Sequence, residues 1–177
     1  PFFGLLAKLQ RTVFVDRRRA STAKQRDAIS ERLTEGSRLV LFAEGTSSDG
    51  NRVLPFKSAL FSVAERADDD TRLMLQPMSI AFTHLNGIPI GHALRPHFAW
   101  YGDMALGGHL WTFAGLGRTR IEVRLMEPVA ADTFRNRREL SRHMHGQVEA
   151  AVAASISGRE SDLTQGIAAL GSAAAAA

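Results

Sequence analysis

The hydrophobic pattern of this chain consists of short apolar runs separated by longer amphipathic stretches. Four of the runs predict strands, at residues 12–15, 38–42, 73–82 and 118–126. We expect the third strand to be irregular at Pro77, because proline cannot donate a hydrogen bond to a sheet. The fourth run alternates Ile121, Val123 and Leu125 with charged residues, which is typical of a strand with one solvent-facing side.

The stretches between these runs have helical spacing. Helices are predicted at residues 3–10, 21–35, 55–67, 103–115 and 132–155. Ser21 or Thr22 can cap the second helix and Gly36 can end it, while Pro55 suits the first turn of the third. Strands that alternate with helices predict an α/β fold, here a mixed sheet flanked by helices. In such folds ligands gather at the loops that follow strands.

The composition is that of a single globular domain. Of the 177 residues, 45% are apolar and 23% are charged, which is enough for a core. We assign residues 1–157 to this domain and residues 158–177, which end in a run of alanines, to a C-terminal tail. No apolar run reaches about eighteen residues, so the sequence predicts no helix that spans a bilayer.

The charge balance favours anionic partners. The net charge is +4 and the isoelectric point about 10.3, which suits phosphate groups, acidic lipid or nucleic acid. Arginines cluster at residues 17–19 and 135–138, but no aromatic residues interleave with them to stack on bases. We therefore predict an acidic membrane surface as partner and no nucleic acid. The chain has no cysteine, which excludes disulfides and thiolate chemistry.

The stretch after the second predicted strand, LVLFAEGTSSDGNRVLPFK at residues 39–57, carries the candidate chemistry. Glu44 follows the apolar run directly, then come glycine and hydroxyl residues, then Arg52 and Lys57. Arg17 follows the first predicted strand in the same way. Fixed cations can neutralise an anionic group while a carboxylate orients the hydroxyls of a substrate. This pattern indicates a binding site for an anionic or polar head group.

Three other kinds of site are disfavoured. A phosphate-binding P-loop requires Lys-Ser/Thr where Asn51-Arg52 stands, and a serine nucleophile elbow requires glycine where Asp49 stands. The six histidines contain no HExxH pair, and His143 and His145 would point apart on a helix. We therefore predict no metal site.

Three segments resemble conserved blocks of a known family. FAEGTSS, residues 42–48, resembles the F-P-E-G-T-R-S block of the glycerolipid acyltransferases, the family of 1-acylglycerol-3-phosphate acyltransferases. RTVFVDR at residues 11–17 is similar to the second block of that family, and LQPMSIAF at residues 75–82 to the fourth. EGTSSDGNRVLPFK, together with WYGDM at residues 100–104, is more similar to bacterial members that include acyltransferases acting on lyso-ornithine lipid.

The resemblance implies an enzyme without a cofactor that moves a fatty acyl group from acyl-carrier protein or acyl-CoA. The acceptor would be the hydroxyl of a lysolipid, either 1-acylglycerol-3-phosphate or lyso-ornithine lipid, at the cytoplasmic face of the bacterial inner membrane. By the same resemblance, Arg17 would contact the acceptor head group and Pro77 would shape the acyl pocket. The acceptor wall and its cradle would comprise Glu44, Gly45, Thr46, Ser47, Ser48, Arg52 and Lys57.

Two departures from the family pattern bear on function. The arginine of the third block is Ser47 here, which cannot make a bidentate phosphate contact. The first block of the family has a histidine, the general base, followed five residues later by aspartate, and none of the six histidines here has aspartate at that spacing. We expect that this chain lacks an upstream catalytic block. The alternative is a natural relative that binds anionic lipid without catalysing transfer.

Overall fold

The computed structural model describes residues 31–33, 36–66 and 73–158. The elements in these ranges are three 3₁₀ helices, Ser58–Arg66, Arg95–His97 and Ala131–Thr133, with β1 Met74–Leu75, β2 Met78–Leu85, β3 Ile88–Pro89, α1 Leu106–Gly115, β4 Thr119–Leu125, β5 Val129–Ala130 and α2 Arg137–Ser157. Outside the described residues lie the predicted strand at 12–15, the helix at 3–10, most of the helix at 21–35, Arg17, and the tail beyond Gly158.

The strands form two small sheets, in which every described pairing is antiparallel. β2 is central in the larger sheet, between β3 and β4, and β1 pairs with β5 in the smaller one. Met78 lies opposite Leu125 at one end of the β2–β4 ladder and Leu85 lies opposite Thr119 at the other. Sheets combined with helices confirm the predicted α/β class.

One face of β2 is made of small side chains and is covered by α2. Ser79, Ala81 and Thr83 alternate along this face and are all buried. Small side chains leave room for the helix to approach the sheet closely, and α2 itself buries Ala151 and Ala154. The long final helix therefore provides the cover for this side of the sheet.

The opposite face of the larger sheet is apolar and exposed. Ile80 on β2 is 47% exposed, and its neighbours Val123 and Leu125 on β4 are 56% and 64% exposed. The predicted strand at 118–126 is confirmed as β4, but the side that faces solvent is the branched apolar one.

The charged side of β4 is partly covered. Glu122 and Arg124 are half-buried, and an Arg124 nitrogen lies 3.0 Å from a Glu122 oxygen. Burial alone would raise the pKa of Glu122, but side-chain hydrogen bonds, first of all from Arg124, together with the charge of Arg124 hold that pKa below its ordinary value. The pair thus keeps its charge on the side of the sheet that α2 covers.

The final helix begins later than the pattern predicted. The sequence predicted a start at residue 132, whereas Ala131–Thr133 form a short 3₁₀ turn and Asn136 caps the helix. The Asn136 side chain accepts hydrogen bonds from the main-chain nitrogens of Arg138 and Glu139, which otherwise lack partners in the first turn. Gly158, at a φ of 69°, ends the helix in the left-handed conformation.

The strand predicted at residues 38–42 is absent from the described structure. Leu39, Val40, Leu41 and Phe42 pair with no described strand and are 37%, 70%, 42% and 73% exposed. An apolar run becomes a strand only where another strand pairs with it, and no described strand lies beside this one. The prediction of a buried strand before Glu44 is therefore wrong for the structure described here.

Two other predictions concern the strand at residues 73–82 and the helix at residues 55–67. The third predicted strand is divided at Gln76 and Pro77 into β1 and β2, as the proline indicated, and the Pro77 carbonyl accepts a hydrogen bond from the Met126 nitrogen at 3.0 Å. The helix predicted at 55–67 is present as the 3₁₀ helix Ser58–Arg66. Pro55 lies before this helix rather than in its first turn.

The core beneath the candidate loop depends on Leu140, which is 1% exposed and belongs to a cluster with Ala43, Phe61 and Met144. We expect Leu140→Ala to lower the free energy of unfolding by about 2–5 kcal/mol, because it leaves a cavity. Chemical denaturation followed by circular dichroism measures this. Arg138→Ala, at an exposed position of the same helix, is the control and should change stability by less than about 0.5 kcal/mol. Equal losses in the two variants would contradict this account of the core.

Candidate functional site

The candidate loop is anchored in the core at its base. Ala43 is 5% exposed and packs in the cluster with Phe61 and Leu140. The Lys57 main-chain nitrogen donates to the Ala43 carbonyl at 2.9 Å, which brings the two ends of the loop together. Residues 44–56 therefore form a loop whose two ends are held together at the core.

Glu44 stabilises the loop from inside. One of its carboxylate oxygens accepts a hydrogen bond from the Leu54 main-chain nitrogen at 2.7 Å, a charge-assisted bond across the base of the loop. The side chain is half-buried. Glu44 thus lies in a turn rather than at the end of a strand, and its position is fixed by the chain ten residues later.

Gly45 and Lys57 are in close contact. Gly45 adopts a φ of 67°, and its nitrogen donates to the Phe42 carbonyl at 3.1 Å. A Cβ atom on Gly45 would lie 2.9 Å from the Lys57 ammonium nitrogen, so the ammonium lies directly over this turn. The left-handed conformation favours glycine here, whereas the flexible end of the Lys57 side chain could move away from an added Cβ. Glu44, Gly45 and Lys57, which the sequence proposed for one site, are brought together.

The tip of the loop is ordered by its own side chains. The Ser48 hydroxyl donates to the Arg52 carbonyl at 2.8 Å and accepts from the Gly50 nitrogen at 3.2 Å. The Asp49 carboxylate accepts from both the main-chain nitrogen and the side-chain amide of Asn51, each at 3.1 Å. Ser48 therefore has a structural role in the loop, beyond the cradle role that the resemblance implied for it.

A buried arginine, Arg95, attaches the loop to the sheet. It is 4% exposed, and its guanidinium donates to the Asn51 side-chain oxygen at 2.7 Å, to the Ile90 carbonyl at 2.6 Å and to the Phe82 carbonyl at 3.4 Å. Asn51 also donates to the His92 carbonyl at 3.2 Å. The sequence pattern did not indicate Arg95, and its only signal was an arginine within a connection otherwise rich in glycine, proline and histidine.

The charges around Asn51 are fixed in their ionised forms. The side-chain hydrogen bond from Asn51, with its main-chain bond, lowers the pKa of Asp49 below its ordinary value. Burial lowers the pKa of Arg95, and the charge of Asp49 partly offsets this effect. An arginine keeps its charge even so. Asp49 of the loop and Arg95 outside it are therefore both charged near Asn51 at neutral pH.

The remaining predicted residues differ in placement. Thr46, Ser47 and Arg52 are exposed on the loop, where a ligand can reach them. Pro77 is buried between β1 and β2, and its described contact is with Met126 on the core side. Arg17 is outside the described residues, so the roles implied for it and for Pro77 stay predictions.

Candidate metal ligands do not cluster in the part of the chain that the structure describes. No group of three or more histidine or acidic side chains there could hold an ion. The rings of His143 and His145 contact different partners, Phe134 at 5.1 Å and Phe56 at 5.3 Å between ring centres.

Among the described helices, none combines the length and the apolar character needed to cross a membrane.

A family model matches the first part of the chain. The model described as Acyltransferase covers residues 1–81, which include the FAEGTSS segment and the first half of β2. Over these residues the chain is similar to the acyltransferase family. No solved structure gives a significant match to this chain.

Several curated proteins are similar over most of this chain. The lyso-ornithine lipid O-acyltransferase of Brucella abortus (strain 2308) is 44% identical over 164 residues, which are 90% of this chain and 61% of that protein. The enzyme of the same name from Rhizobium meliloti (strain 1021) is 38% identical over 94% of this chain and 58% of its own length. That from Rhodobacter capsulatus is 32% identical, over 80% and 50%. The chain thus spans between half and three fifths of these relatives.

The bond between Arg95 and Asn51 provides a test of how this chain holds its loop. We expect Arg95→Met to increase the hydrogen-exchange rates of the Gly50 and Asn51 amides at least about tenfold, because the buried partners of the guanidinium lose their donor. Hydrogen exchange measured by mass spectrometry on the loop peptide reports this. Arg52→Met, which removes an exposed arginine from the same loop, should leave the exchange unchanged. Unchanged exchange in Arg95→Met would show that Arg95 does not order the loop.

Proposed function

We propose that the protein carrying this chain transfers a fatty acyl group to the hydroxyl of a lyso-ornithine lipid. The acyl donor in this proposal is acyl-carrier protein or acyl-CoA. The loop Glu44–Arg52 binds the acceptor head group, and it is held in place by Arg95 and by the Glu44–Leu54 bond. The names of the curated relatives support the choice of acceptor.

The observation that carries the proposal is the charge pattern at the loop. An ornithine head group presents a carboxylate and an ammonium rather than a phosphate. The Lys57 ammonium over Gly45 suits the carboxylate, and the carboxylates of Glu44 and Asp49 suit the ammonium. Ser47 stands where the glycerolipid acyltransferase block has an arginine. Its lack of a bidentate phosphate donor fits an acceptor without phosphate.

The reaction requires few groups from this loop. The acceptor hydroxyl oxygen attacks the thioester carbonyl carbon, the bond from carbon to sulfur breaks, and the hydroxyl proton goes to a base while the thiolate leaves and takes up a proton. Glu44, Thr46 and Lys57 hold the acceptor so that its hydroxyl faces the thioester, and such positioning can contribute a large part of the rate. The loop residues bind and orient, and none of them takes the proton.

The base belongs elsewhere in the proposed enzyme. None of the six histidines has aspartate five residues later, and relatives are longer than this chain. We infer that a histidine in the part of the relatives' length outside this chain takes the proton. Such a base contributes about 10²–10⁴-fold to the rate. Arg17, in the RTVFVDR segment, is proposed as a further contact to the head group.

The setting proposed for the reaction is an acidic membrane surface at the cytoplasmic face of the inner membrane. The net charge of +4 favours such a surface, and both the acceptor and the product are lipids in this proposal. The acyl donor is water-soluble and would approach the loop from the aqueous side, opposite the membrane. The loop therefore has to be accessible from both the membrane and the water.

Glu44 provides a test that separates binding from folding. In the complete protein, we expect both Glu44→Gln and Glu44→Ala to lower kcat/KM for lyso-ornithine lipid by about tenfold to a hundredfold, the effect of a lost charged hydrogen bond. Glu44→Gln keeps an oxygen that can accept from the Leu54 nitrogen, so its melting temperature should match the wild type. Glu127→Gln, an exposed carboxylate outside the loop, is the control. Normal turnover in Glu44→Gln would show that Glu44 only supports the loop.

Ser47 provides a test of acceptor choice. We expect Ser47→Arg to raise the ratio of kcat/KM for lysophosphatidic acid to that for lyso-ornithine lipid about tenfold or more, because the new guanidinium can bind phosphate through two hydrogen bonds. Ala153→Arg, which adds the same charge at an exposed position of α2, should leave the ratio unchanged. The same ratio in both variants would remove position 47 from the acceptor site.

The same assays separate this function from the alternative of a lipid-binding domain without catalysis. Transfer of labelled acyl groups to lyso-ornithine lipid by the complete protein supports the enzyme. Saturable binding of the lipid without any transfer, in the presence of both donors, supports the alternative.

A further inference from the structure

The helix α1 exposes an unusual amount of apolar surface. Its sequence, LGGHLWTFAG, contains no acidic residue, lysine or arginine, and none of its residues is buried. Trp111 is 85% exposed, more than any other large hydrophobic side chain among the described residues, and Leu110 is 40% exposed. Just before the helix, Trp100 is 44% exposed and Met104 is 39% exposed. These four side chains form what we call the α1 patch.

The helix is attached to the fold through the ring of Phe113. That ring meets Phe82 and Phe98 edge-on, with 6.3 Å between the ring centres in each case. The segment before the helix is fixed as well, since the Trp100 indole nitrogen donates to the Met104 carbonyl at 2.7 Å. The α1 patch is therefore exposed to solvent on a helix that is fixed to the rest of the fold.

The charges near the patch favour an anionic partner. Asp103 is the only acidic residue of the sequence between Trp100 and Arg120, while Arg118 and Arg120 follow the helix, both exposed. An uncharged helix with tryptophan and leucine on its exposed side, followed by arginines, matches the requirements of a helix at a membrane interface. A protein partner would instead need a matching apolar face, and nothing in these charges selects one.

We propose that α1 lies in the interface of an anionic membrane. Trp111, Leu110 and Met104 enter the boundary between head groups and acyl chains, and Arg118 and Arg120 contact lipid phosphates. The inference rests on the proposed function, because it assigns the surface through which an enzyme acting on lipids would reach its acceptor.

The position of the helix connects the membrane to the loop. Phe113 of α1 packs on Phe82, the Phe82 carbonyl accepts from Arg95, and Arg95 holds Asn51 of the loop. Docking of α1 thus places the loop a few contacts away from the lipid surface. A lysolipid would then travel only a short distance from the bilayer to Glu44 and Lys57.

The first measurement is flotation of this chain with vesicles of phosphatidylcholine alone or mixed with phosphatidylglycerol, without acyl donor. We expect binding to the mixed vesicles that falls about tenfold in Trp111→Ser, since a buried large apolar side chain contributes on this scale. Ile88→Ser, which removes another apolar side chain that is 70% exposed but lies outside α1, should bind like the wild type. Trp111→Phe, which keeps an apolar ring, should retain most of the binding.

Fluorescence locates the helix in the membrane. The chain has two tryptophans, Trp100 and Trp111, so Trp100→Phe leaves Trp111 as the only indole. Its emission should shift to the blue with mixed vesicles and be quenched by brominated acyl chains. Replacing Arg118 and Arg120 with glutamine should reduce the preference for the mixed vesicles and the sensitivity of binding to salt.

Wild-type binding in Trp111→Ser, or an equal loss in Ile88→Ser, would overturn the proposal. Self-association through Trp111 in place of vesicle binding would overturn it as well. The proposed function fails separately: if the complete protein does not acylate lyso-ornithine lipid dispersed in detergent while Trp111 still governs vesicle binding, only the function falls. If Trp111→Ser acylates the dispersed lipid normally but no longer binds vesicles, both proposals hold.

Discussion

The guanidinium of Arg95 is the interaction on which the arrangement of the loop depends. It is buried and donates to two main-chain carbonyls of the sheet region and to the side chain of Asn51 in the loop. A buried cation without partners would be costly, so these acceptors and Arg95 hold one another in place. The loop can consequently be long and exposed at Thr46 and Ser47 while its tip stays fixed.

The same loop is ordered by its own contacts and also presents charged side chains that can bind a ligand. One Glu44 carboxylate oxygen accepts a hydrogen bond from the Leu54 nitrogen, and the Lys57 ammonium lies over the turn at Gly45. Groups already oriented by the protein lose little conformational entropy when a ligand arrives. We propose this ordering as the physical basis of the acceptor choice, because a head group with both signs of charge would meet donors and acceptors that are already in place.

The sequence predicted those features of the fold that depend on neighbouring residues. The break at Pro77, the alternation of β4 and the presence of α2 follow from local rules, and the structure has them, although α2 begins at Arg137 rather than at residue 132. The strand expected at residues 38–42 depended on a partner that the pattern could not supply, and the described structure shows none. The side of β4 that faces solvent was equally beyond local rules, because α2 decides it.

The candidate site was predictable to a similar degree. The resemblance of FAEGTSS to a family block drew attention to Glu44, Gly45 and Lys57, which the structure brings together. Arg95 could not be found in this way, because it lies 44 residues from Asn51 and its role exists only through the folded contact. Comparison with known proteins then supported the family, while the roles of the individual loop residues stay predictions.

The bare face of the larger sheet has a thermodynamic consequence. Ile80, Val123 and Leu125 are roughly half exposed or more in the folded chain, so much of the free energy of burial available on this face is not realised. Any segment or partner that covers the face binds the folded state in preference to the unfolded one and stabilises it in proportion to the logarithm of its concentration. Folding of this domain is therefore thermodynamically linked to the binding of whatever segment or partner covers this apolar face.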